Sequence, residues 1–215
     1  MVIAIDGPAG SGKSTIAKEI ARLSNGIYLN SGKLYRAITY YCISHSVSLN
    51  IDSIDPLLNS LSVDFCGNGV QINENVYDQE LHTDQVDRFV PLVSSFPKVR
   101  ALVNSVLLRT AGNNDVVVEG RDMTTVVFPH ADYKFYLDAS SEARATRRFQ
   151  QGTSDLPYDE ILRTIQERDE QDKVKKIGRL QISNEAIYLD TSDLTIQEVC
   201  EKVLKSIQGN KSPQE

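Results

Sequence analysis

The stretch "GPAGSGKST", from Gly7 to Thr15, follows the apolar run "VIAI" and a single acidic residue, Asp6. Its spacing, G-x-x-x-x-G-K-[ST], is that of a phosphate-binding loop. An apolar strand, a glycine-rich loop and an amphipathic helix occur here in the order that the motif requires. The stretch therefore predicts a nucleoside triphosphate site rather than a glycine-rich turn that merely caps a helix. It does not identify the group that receives the phosphate.

The residue types within this loop suit a polyphosphate ligand. Glycine allows backbone N–H groups to turn toward phosphate oxygens, and the dipole at the N-terminus of the following helix favours anions. Lys13 adds a positive charge near the transferred phosphate, which makes it a candidate catalytic residue, and Ser14 offers a hydroxyl to Mg²⁺. We predict that the nucleotide is bound by the whole loop, namely Gly7, Pro8, Ala9, Gly10, Ser11, Gly12, Lys13, Ser14 and Thr15.

Short apolar runs without polar alternation recur along the chain. Such runs are typical of strands buried on both faces of a parallel sheet. Segments with helical periodicity separate them, at 13–24, 141–150 and 158–176. The pattern predicts an α/β fold of the P-loop NTPase type, a parallel sheet flanked by helices, with ligands at the carboxyl ends of the strands. The predicted strands are 2–5, 27–29, 116–118, 134–137 and 186–189.

Residues 62–81 interrupt this alternation of strands and helices. The stretch "SVDFCGNGVQINENVYDQEL" has residues typical of strands around the turn sequences "GNG" and "NEN". It therefore predicts a small antiparallel β insert on the parallel core.

The composition excludes several classes of partner. With 215 residues, a formal net charge of −6 and a pI near 5.2, the chain has no bulk attraction for nucleic acid or an anionic membrane. No run approaches the ~18 apolar residues of a membrane span, and the N-terminus leads directly into a strand. Three scattered cysteines without a CxxC pair favour a reducing compartment over a zinc site. We expect a cytoplasmic protein with neither nucleic acid nor membrane as a partner.

Arginines near strand ends are candidates for binding the phosphate acceptor. Ser31 and Arg36 follow the second strand in "YLNSGKLYRA", and Arg100 lies in the helical stretch "PKVR". Arg121 and Asp122 come directly after the third strand in "VVVEGRDMTTVVFP". A single arginine is more often a solvated surface side chain, but the position of Arg121 and Asp122 is where ligands of α/β proteins gather.

The predicted helix from Tyr158 carries charges on a face that begins apolar. Its apolar stripe ends at Ile165, and the same spacing continues through Arg168, Asp172 and Lys175. This pattern predicts that the face leaves the core and lines a cleft. The alternative is an intrahelical ion pair between Arg168 and Asp172, which would contribute only a few tenths of a kcal/mol.

A second helical stretch has a basic face. Arg144, Arg147 and Arg148 are spaced at i, i+3 and i+4, and a loop containing glycine and proline follows at 151–157. A basic helix end beside such a loop suits a lid that closes over a triphosphate. A solvated basic face is the alternative.

These segments together resemble one family. Bacterial cytidylate kinases have similar motifs in the same order and at the same spacing as five segments of this chain: "IDGPAGSGKST", "NSGKLYRA", "EGRDMTTVVFP", "FYLDASSEARATRR" and "ERDEQDKVKK". The resemblance extends to about residue 207 and includes the β insert. Its most specific part is "GRDMTTVVFP", since many NTPases share the phosphate loop.

The resemblance implies which residues bind the acceptor nucleotide. Ser31, Arg36 and Arg121 would hold its phosphate, with Arg36 and Arg121 also catalytic. Arg100 and Asp122 would recognise the cytosine base.

The ribose and the phosphoryl donor have their own implied contacts. Arg168 and Asp172 would hold the ribose, with Lys175 also binding the substrate. The lid arginines would close over the donor, where Arg144 would bind the nucleotide and Arg147 would take part in catalysis.

The resemblance further implies a single nucleoside monophosphate kinase domain over 1–215. Its parts would be a core at 1–30, 101–145 and 159–207, a monophosphate-binding region at 31–100 with the β insert at about 62–81, and a short lid at about 146–158.

Four places depart from the family's pattern. Asn30 stands where an acidic residue is usual, Pro91 where a serine that contacts the base is usual, and Lys175 where an arginine is usual. The usual "SPL" is "GRL" at 178–180.

The implied activity is transfer of the γ-phosphoryl group of ATP to CMP, and also to dCMP, with Mg²⁺ as cofactor. The acceptor's phosphate oxygen is already an anion near neutral pH, so catalysis would rest on positioning and charge stabilisation rather than on a strong base. Glu119, at a strand end, either holds a magnesium-bound water or is structural. The expected partners are ATP and CMP or dCMP, and we expect a monomer.

Two alternatives remain open. A P-loop kinase for another small acceptor would use the same loop. A GTPase switch would need a guanine-recognising "NKxD" segment, which the sequence lacks.

Overall fold

The computed structural model describes residues 1–152 and 156–209. The strands of these residues are β1 Val2–Asp6, β2 Ile27–Asn30, β3 Val63–Cys66, β4 Gly69–Ile72, β5 Asn75–Tyr77, β6 Val116–Gly120, β7 Tyr133–Asp138 and β8 Ile187–Asp190. The α-helices are α1 Lys13–Leu23, α2 Ser31–Ser44, α3 Ile51–Leu58, α4 Asp84–Val93, α5 Pro97–Ala111, α6 Ser141–Gln150, α7 Tyr158–Val174 and α8 Ile196–Gly209. A 3₁₀ turn covers Gln79–His82, and a π-helical segment covers Met123–Val127.

The five strands expected from the apolar runs form one sheet. Their order is β2-β6-β1-β7-β8, and β1 pairs in parallel with both β6 and β7. At the carboxyl end of β1, Asp6 lies opposite Gly120 of β6 and Tyr136 of β7. The prediction of a parallel α/β sheet is therefore confirmed, and the polar residues that end these strands meet at one edge.

The central strands are buried on both faces because helices cover them. Ile3, Ile5 and Phe135 have no exposed surface, and they pack against apolar residues of α1 and α8 in one core. Full burial of an aliphatic or aromatic side chain of this size stabilises a fold by about 1.5–3 kcal/mol. This core fixes the strand ends from which the loops of the site emerge.

The chain divides into two compact units. The first contains Met1–Leu29, the described residues of Asn113–Val174, and those from Arg179 onward. The second contains Asn30–Gly112 together with the short segment Lys175–Gly178. Within the second unit, α5 packs against α2 and α3.

The second unit contains the predicted antiparallel insert. β3 pairs with β4 and β4 with β5, both antiparallel. The strands end at Tyr77, and the last residues of the predicted insert enter the 3₁₀ turn. Asn30 caps α2, since its side chain accepts a hydrogen bond of 3.0 Å from the Lys33 N–H.

The end of α7 corrects one expectation. The periodicity predicted a helix through residue 176 with Lys175 on its cleft-facing stripe, but α7 ends at Val174. The chain reverses there: the Leu180 N–H donates to the Asp172 carbonyl at 2.9 Å, and the Leu180 side chain is buried. Burial of Leu180 and use of a carbonyl in the last helical turn favour this end over continued helix.

Two further expectations lie partly outside the described residues. The predicted lid at about 146–158 includes 153–155, and the single domain predicted over 1–215 includes 210–215. Within the described chain, no helix has both the length and the apolar character needed to cross a bilayer.

The start of the phosphate loop packs tightly on β7, and this contact generates a prediction. Gly7 has φ +152°, and a Cβ built on it would lie 2.0 Å from the Leu137 carbonyl oxygen. Gly12 has φ +90°, and a Cβ built on it would meet no atom within 4 Å. Gly12→Ala should therefore lower the free energy of unfolding by about 1–2 kcal/mol, the cost of its backbone conformation. Gly7→Ala should lower it by roughly 4 kcal/mol or more, since two backbones must separate.

Urea unfolding of the two variants measures this difference. Equal losses would show that the backbone contact between Gly7 and Leu137 does not constrain the loop.

Candidate active site

The phosphate loop connects β1 to α1 with its N–H groups at a helix N-terminus. Gly12 adopts φ +90° at the N-cap, and its carbonyl accepts from the Ile16 N–H at 3.1 Å. Ser14 and Thr15 lie exposed in the first turn of α1. The loop therefore has the conformation and exposure of an anion site.

Lys13 is buried, with 4% of its surface exposed, and its ammonium donates to the Pro8 carbonyl at 2.7 Å. Burial lowers the pKa of Lys13 to about 7, and the positive charges of Arg121 and Arg168 act in the same direction. The carboxylates of Glu119 and Asp6 oppose this shift. A polyphosphate beside the ammonium would favour its charged form, so ligand binding and protonation of Lys13 should be coupled.

Asp6 connects the loop to the segment after β6. Its carboxylate has no exposed surface and accepts hydrogen bonds from the Met123 N–H at 2.9 Å, the Thr124 N–H at 2.7 Å and the Thr124 hydroxyl at 2.6 Å. Burial raises the pKa of Asp6 to about 6 and Asp122 adds to the rise, while these hydrogen bonds oppose it. The carboxylate thereby fixes the π-helical segment that follows Arg121 and Asp122.

Arg121 and Asp122 differ in their surroundings. The Arg121 Nε donates to Asp172 of α7 at 2.9 Å, and the Asp172 carboxylate is almost wholly buried. Asp122 is 2% exposed and caps the π-helical segment, with its carbonyl accepting from the Val126 N–H at 2.9 Å. The structure thus joins Arg121 to Asp172, two residues that the family resemblance assigns to different parts of the acceptor.

Oxygen donors suited to Mg²⁺ occur in the first unit. Ser14 presents a hydroxyl in the first turn of α1, and Glu119 is a buried carboxylate near the end of β6 that accepts from the Tyr28 hydroxyl at 2.6 Å. Among the described residues, no group of three or more His, Cys, Asp or Glu could hold a metal alone. Mg²⁺ commonly binds through one or two protein oxygens and the phosphates of a substrate, so these donors fit it.

Arg144 of α6 is a buried residue that supports the loop. Its guanidinium forms a two-pronged ion pair with Asp169 of α7, and it also donates to the carbonyls of Ala139 at 2.9 Å and Ala9 at 3.1 Å. The contact with Ala9 connects it directly to the phosphate loop. Arg144 therefore has defined partners, which a solvated basic face would not require.

Arg147 and Thr191 link α6, the loop after β8 and the phosphate loop. The Arg147 guanidinium donates to the Thr191 carbonyl and to its hydroxyl, the latter at 3.3 Å. The Thr191 hydroxyl in turn donates to the Ser11 carbonyl at 3.1 Å. The loop after β8 thus braces the phosphate loop on the side of α6.

In the second unit, Arg36 and Ser31 lie on α2. The Arg36 guanidinium pairs with Asp87 of α4 and donates to the Leu81 carbonyl at 2.9 Å. Ser31 is buried in the first turn of α2. Arg36 therefore has a fixed orientation before any ligand binds.

Arg100 and Lys175 meet at Ser94 in the same unit. The Arg100 guanidinium lies 5.7 Å from the centre of the Tyr35 ring and donates to the Ser94 carbonyl at 3.4 Å. The Lys175 ammonium lies 3.5 Å from the Ser94 hydroxyl. Lys175 thus contacts α4 from a position beyond the end of α7.

Several residues of these networks were not identified from the sequence. Asp87, Asp169, Tyr28 and Thr191 are partners of candidate residues, and each is distant from its partner along the chain. Asp6 differs from these partners, because its position directly after the first apolar run could be recognised in the sequence.

Comparisons with known proteins agree on one family. A family model described as Cytidylate kinase matches residues 3–209. A protein named Cytidylate kinase from Clostridioides difficile (strain 630) is 36% identical over 211 residues, covering 96% of this chain and 98% of that protein. A protein of the same name from Fusobacterium nucleatum subsp. nucleatum is 36% identical over 212 residues, covering 97% of each chain.

The comparison with solved structures shows similarity in fold only, because the sequence identity is low. TT1252 from Thermus thermophilus superimposes with a TM-score of 0.52 at 17% identity, covering 99% of this chain and 98% of that one.

The lowered pKa of Lys13 predicts proton uptake when ADP binds. Because Lys13 has a pKa of about 7 without the ligand, its side chain is mostly neutral at about pH 8. If bound ADP restores the positive charge, binding at about pH 8 should take up about one proton. Well below pH 7 the lysine is already charged, so binding should take up almost none. Affinity for ADP should therefore fall as pH rises above this pKa. Calorimetry in two buffers of different ionisation enthalpy measures the uptake. Lys13→Met is the control, and proton uptake that persists in it would assign the proton to another group.

Asp6→Asn should destabilise the fold. An amide retains one acceptor oxygen, so a backbone N–H of Met123 or Thr124 would face an NH₂ group at a cost of about 1–3 kcal/mol. Asp190→Asn is the matched control at the same sheet edge. A single oxygen of Asp190 accepts both hydrogen bonds from Ser192, so the carbonyl oxygen of an asparagine can keep them both. The control should change the free energy of unfolding, measured in urea, by less than about 0.5 kcal/mol. A similar loss in both variants would refute a special role for Asp6.

Proposed function

The chain belongs to the cytidylate kinase family, and from this premise we propose that it transfers the γ-phosphoryl group of ATP to CMP and dCMP. The products are ADP and CDP or dCDP. The observation that carries the proposal is the family match over residues 3–209, which includes both the phosphate loop and the segment after β6. As a member of this family the protein is a phosphotransferase.

The reaction needs little covalent chemistry from the protein. The attacking group is a phosphate oxygen of the acceptor, which is ionised near neutral pH, so catalysis depends on alignment and on stabilising charge at the transferred group. Lys13 supplies that charge from within the loop. Its low pKa in the free protein is consistent with a position where an anionic ligand completes the charge balance.

We assign the acceptor phosphate to Ser31, Arg36 and Arg121. Arg36 and Arg121 would neutralise this phosphate so that two polyanions can approach each other. Their ion pairs with Asp87 and Asp172 support the assignment, because guanidinium groups that are already oriented lose less side-chain entropy when a ligand binds.

The base and ribose contacts follow from the family pattern. We assign recognition of cytosine to Arg100 and Asp122, and contacts with the ribose to Arg168 and Asp172. Lys175 is assigned to the substrate as a point charge, which attracts an anion but cannot form the planar pair of hydrogen bonds that an arginine forms.

On the donor side, Arg144 would bind the nucleotide and Arg147 would stabilise the transferred phosphate. Because Arg144 is held by Asp169 and by the carbonyls of Ala9 and Ala139, its direct effect is to orient the loop that binds the donor. Mg²⁺ would be held by Ser14, with Glu119 contributing through water, and when bound it would lower the charge on the phosphates of ATP.

The expected setting follows from the substrates. We propose that the enzyme acts as a monomer in the cytoplasm, where ATP and nucleoside monophosphates occur together.

An acceptor panel tests the proposal. Release of ADP, measured with ATP and CMP, dCMP, UMP or AMP, should be fastest with CMP or dCMP. Preference for a different acceptor would identify a P-loop kinase of another specificity and refute the assignment to CMP.

Asp122 should determine the choice of base. A carboxylate accepts a hydrogen bond from the amino group of cytosine but repels the carbonyl of uracil at that position, a mismatch of about 1–3 kcal/mol. CMP should therefore exceed UMP in kcat/KM by roughly tenfold to a hundredfold, and Asp122→Asn should narrow the ratio. Asp64→Asn, an exposed aspartate paired with Arg109, is the control. An unchanged CMP/UMP ratio in Asp122→Asn would remove Asp122 from base recognition.

A further inference from the structure

Gly178 lies against the guanidinium of Arg100 within the second unit. Its φ is +68°, and a Cβ built there would lie 2.1 Å from Nη1, 2.5 Å from Cζ and 3.0 Å from Nη2 of Arg100. The distances to Nη1 and Cζ are shorter than contacts of a Cβ in folded proteins allow, and the distance to Nη2 is at the lower limit. The guanidinium therefore occupies the space that a side chain at position 178 would need.

Other groups hold Arg100 around this contact. The arginine is 7% exposed, its guanidinium carbon lies 5.7 Å from the centre of the Tyr35 ring, and Nη1 donates to the Ser94 carbonyl at 3.4 Å. A cation near an aromatic face and a carbonyl acceptor both favour one orientation of the planar group. Gly178 leaves room for the guanidinium on the side that neither Tyr35 nor Ser94 contacts. A methyl group at position 178 would push the guanidinium away from these two residues.

The segment that carries Gly178 belongs to the unit that contains Arg100. Lys175–Gly178 packs with Asn30–Gly112, although α7 and the described residues from Arg179 onward pack in the other unit. The Lys175 ammonium contacts the Ser94 hydroxyl, and Arg100 contacts the carbonyl of the same serine. Lys175, at one end of the segment, and Arg100 therefore contact the same residue, Ser94.

We propose that Gly178 is a positioning residue that sets the orientation in which Arg100 recognises the acceptor nucleotide. This inference rests on the proposed function, in which Arg100 contacts the base. An added methyl group would meet the flexible end of an arginine rather than backbone. The chain should therefore still fold. The guanidinium should leave the position from which it binds the acceptor in this chain, where Gly178 replaces the serine of the family's usual "SPL".

Gly178→Ala tests the proposal against a matched control. Gly67 also has positive φ, +57°, but a Cβ there would meet no atom within 4 Å, so Gly67→Ala reproduces the backbone cost without the contact. Gly178→Ala should raise KM for CMP about tenfold, the effect of about one lost charge-assisted hydrogen bond. Its KM for ATP should stay within about twofold of wild type, as should every constant of Gly67→Ala.

A double-mutant cycle separates positioning of Arg100 from general damage. Arg100→Met removes the guanidinium, so adding Gly178→Ala to it should raise KM for the acceptor no further. The proposal would be overturned if adding Gly178→Ala to Arg100→Met raised KM for the acceptor by the same factor as in the wild type. An unchanged KM in the single variant Gly178→Ala would overturn it as well. If Gly178→Ala does not fold, Gly178→Asn replaces it, since asparagine tolerates positive φ better.

The cycle is measured with whichever acceptor gives the wild type its highest kcat/KM. A wild type that prefers another acceptor refutes the assignment to CMP but leaves the positioning of Arg100 open to the same test. A wild type that uses no acceptor of the panel overturns both.

Discussion

The carboxylate of Asp6 is the interaction on which the site most depends. It ends β1 directly before the phosphate loop and accepts three hydrogen bonds from Met123 and Thr124. The loop that would bind the donor and the segment that carries Arg121 and Asp122 are therefore held by one buried group. Close contact of Gly7 with the Leu137 carbonyl fixes the same junction from the other side. Small movements of either segment would cost hydrogen bonds to a buried charge, so the edge of the sheet is rigid before any ligand binds.

The second feature of the site is that its buried and partly buried cations have defined partners. Lys13 donates to the Pro8 carbonyl, Arg121 to Asp172, and Arg144 to Asp169. A buried charge without a partner would strongly destabilise the fold. A buried ion pair fixes the orientation of its two side chains more than it adds to the net stability of the fold. Groups fixed in this way can stabilise charge that develops during phosphoryl transfer without rearranging at that moment. Charge and orientation, rather than an acid or base, therefore account best for the proposed chemistry.

The sequence allowed the strands, the phosphate loop and the β insert to be predicted because each has a local signature. The apolar runs identified all five strands of the parallel sheet, and "GNG" and "NEN" marked the turns of the insert. Contacts between distant residues have no such signature, which is why Asp169, Asp87 and the packing of Gly178 on Arg100 required the structure. The end of α7 was predicted wrongly for a related reason. Helical spacing continues past Val174, and the reversal is favoured by burial of Leu180.

We propose that the protein transfers a phosphoryl group from ATP to CMP. The most direct test is ³¹P NMR of the wild-type protein with ATP, Mg²⁺ and CMP, since it identifies every phosphorus-containing product. The signals of ATP and CMP should decline together, and the diphosphate signals of ADP and CDP should appear in equal amounts. Inorganic phosphate formed with CMP unchanged would mean transfer to water, and ATP and CMP both unchanged would mean nucleotide binding without transfer. Either result would refute phosphoryl transfer to CMP.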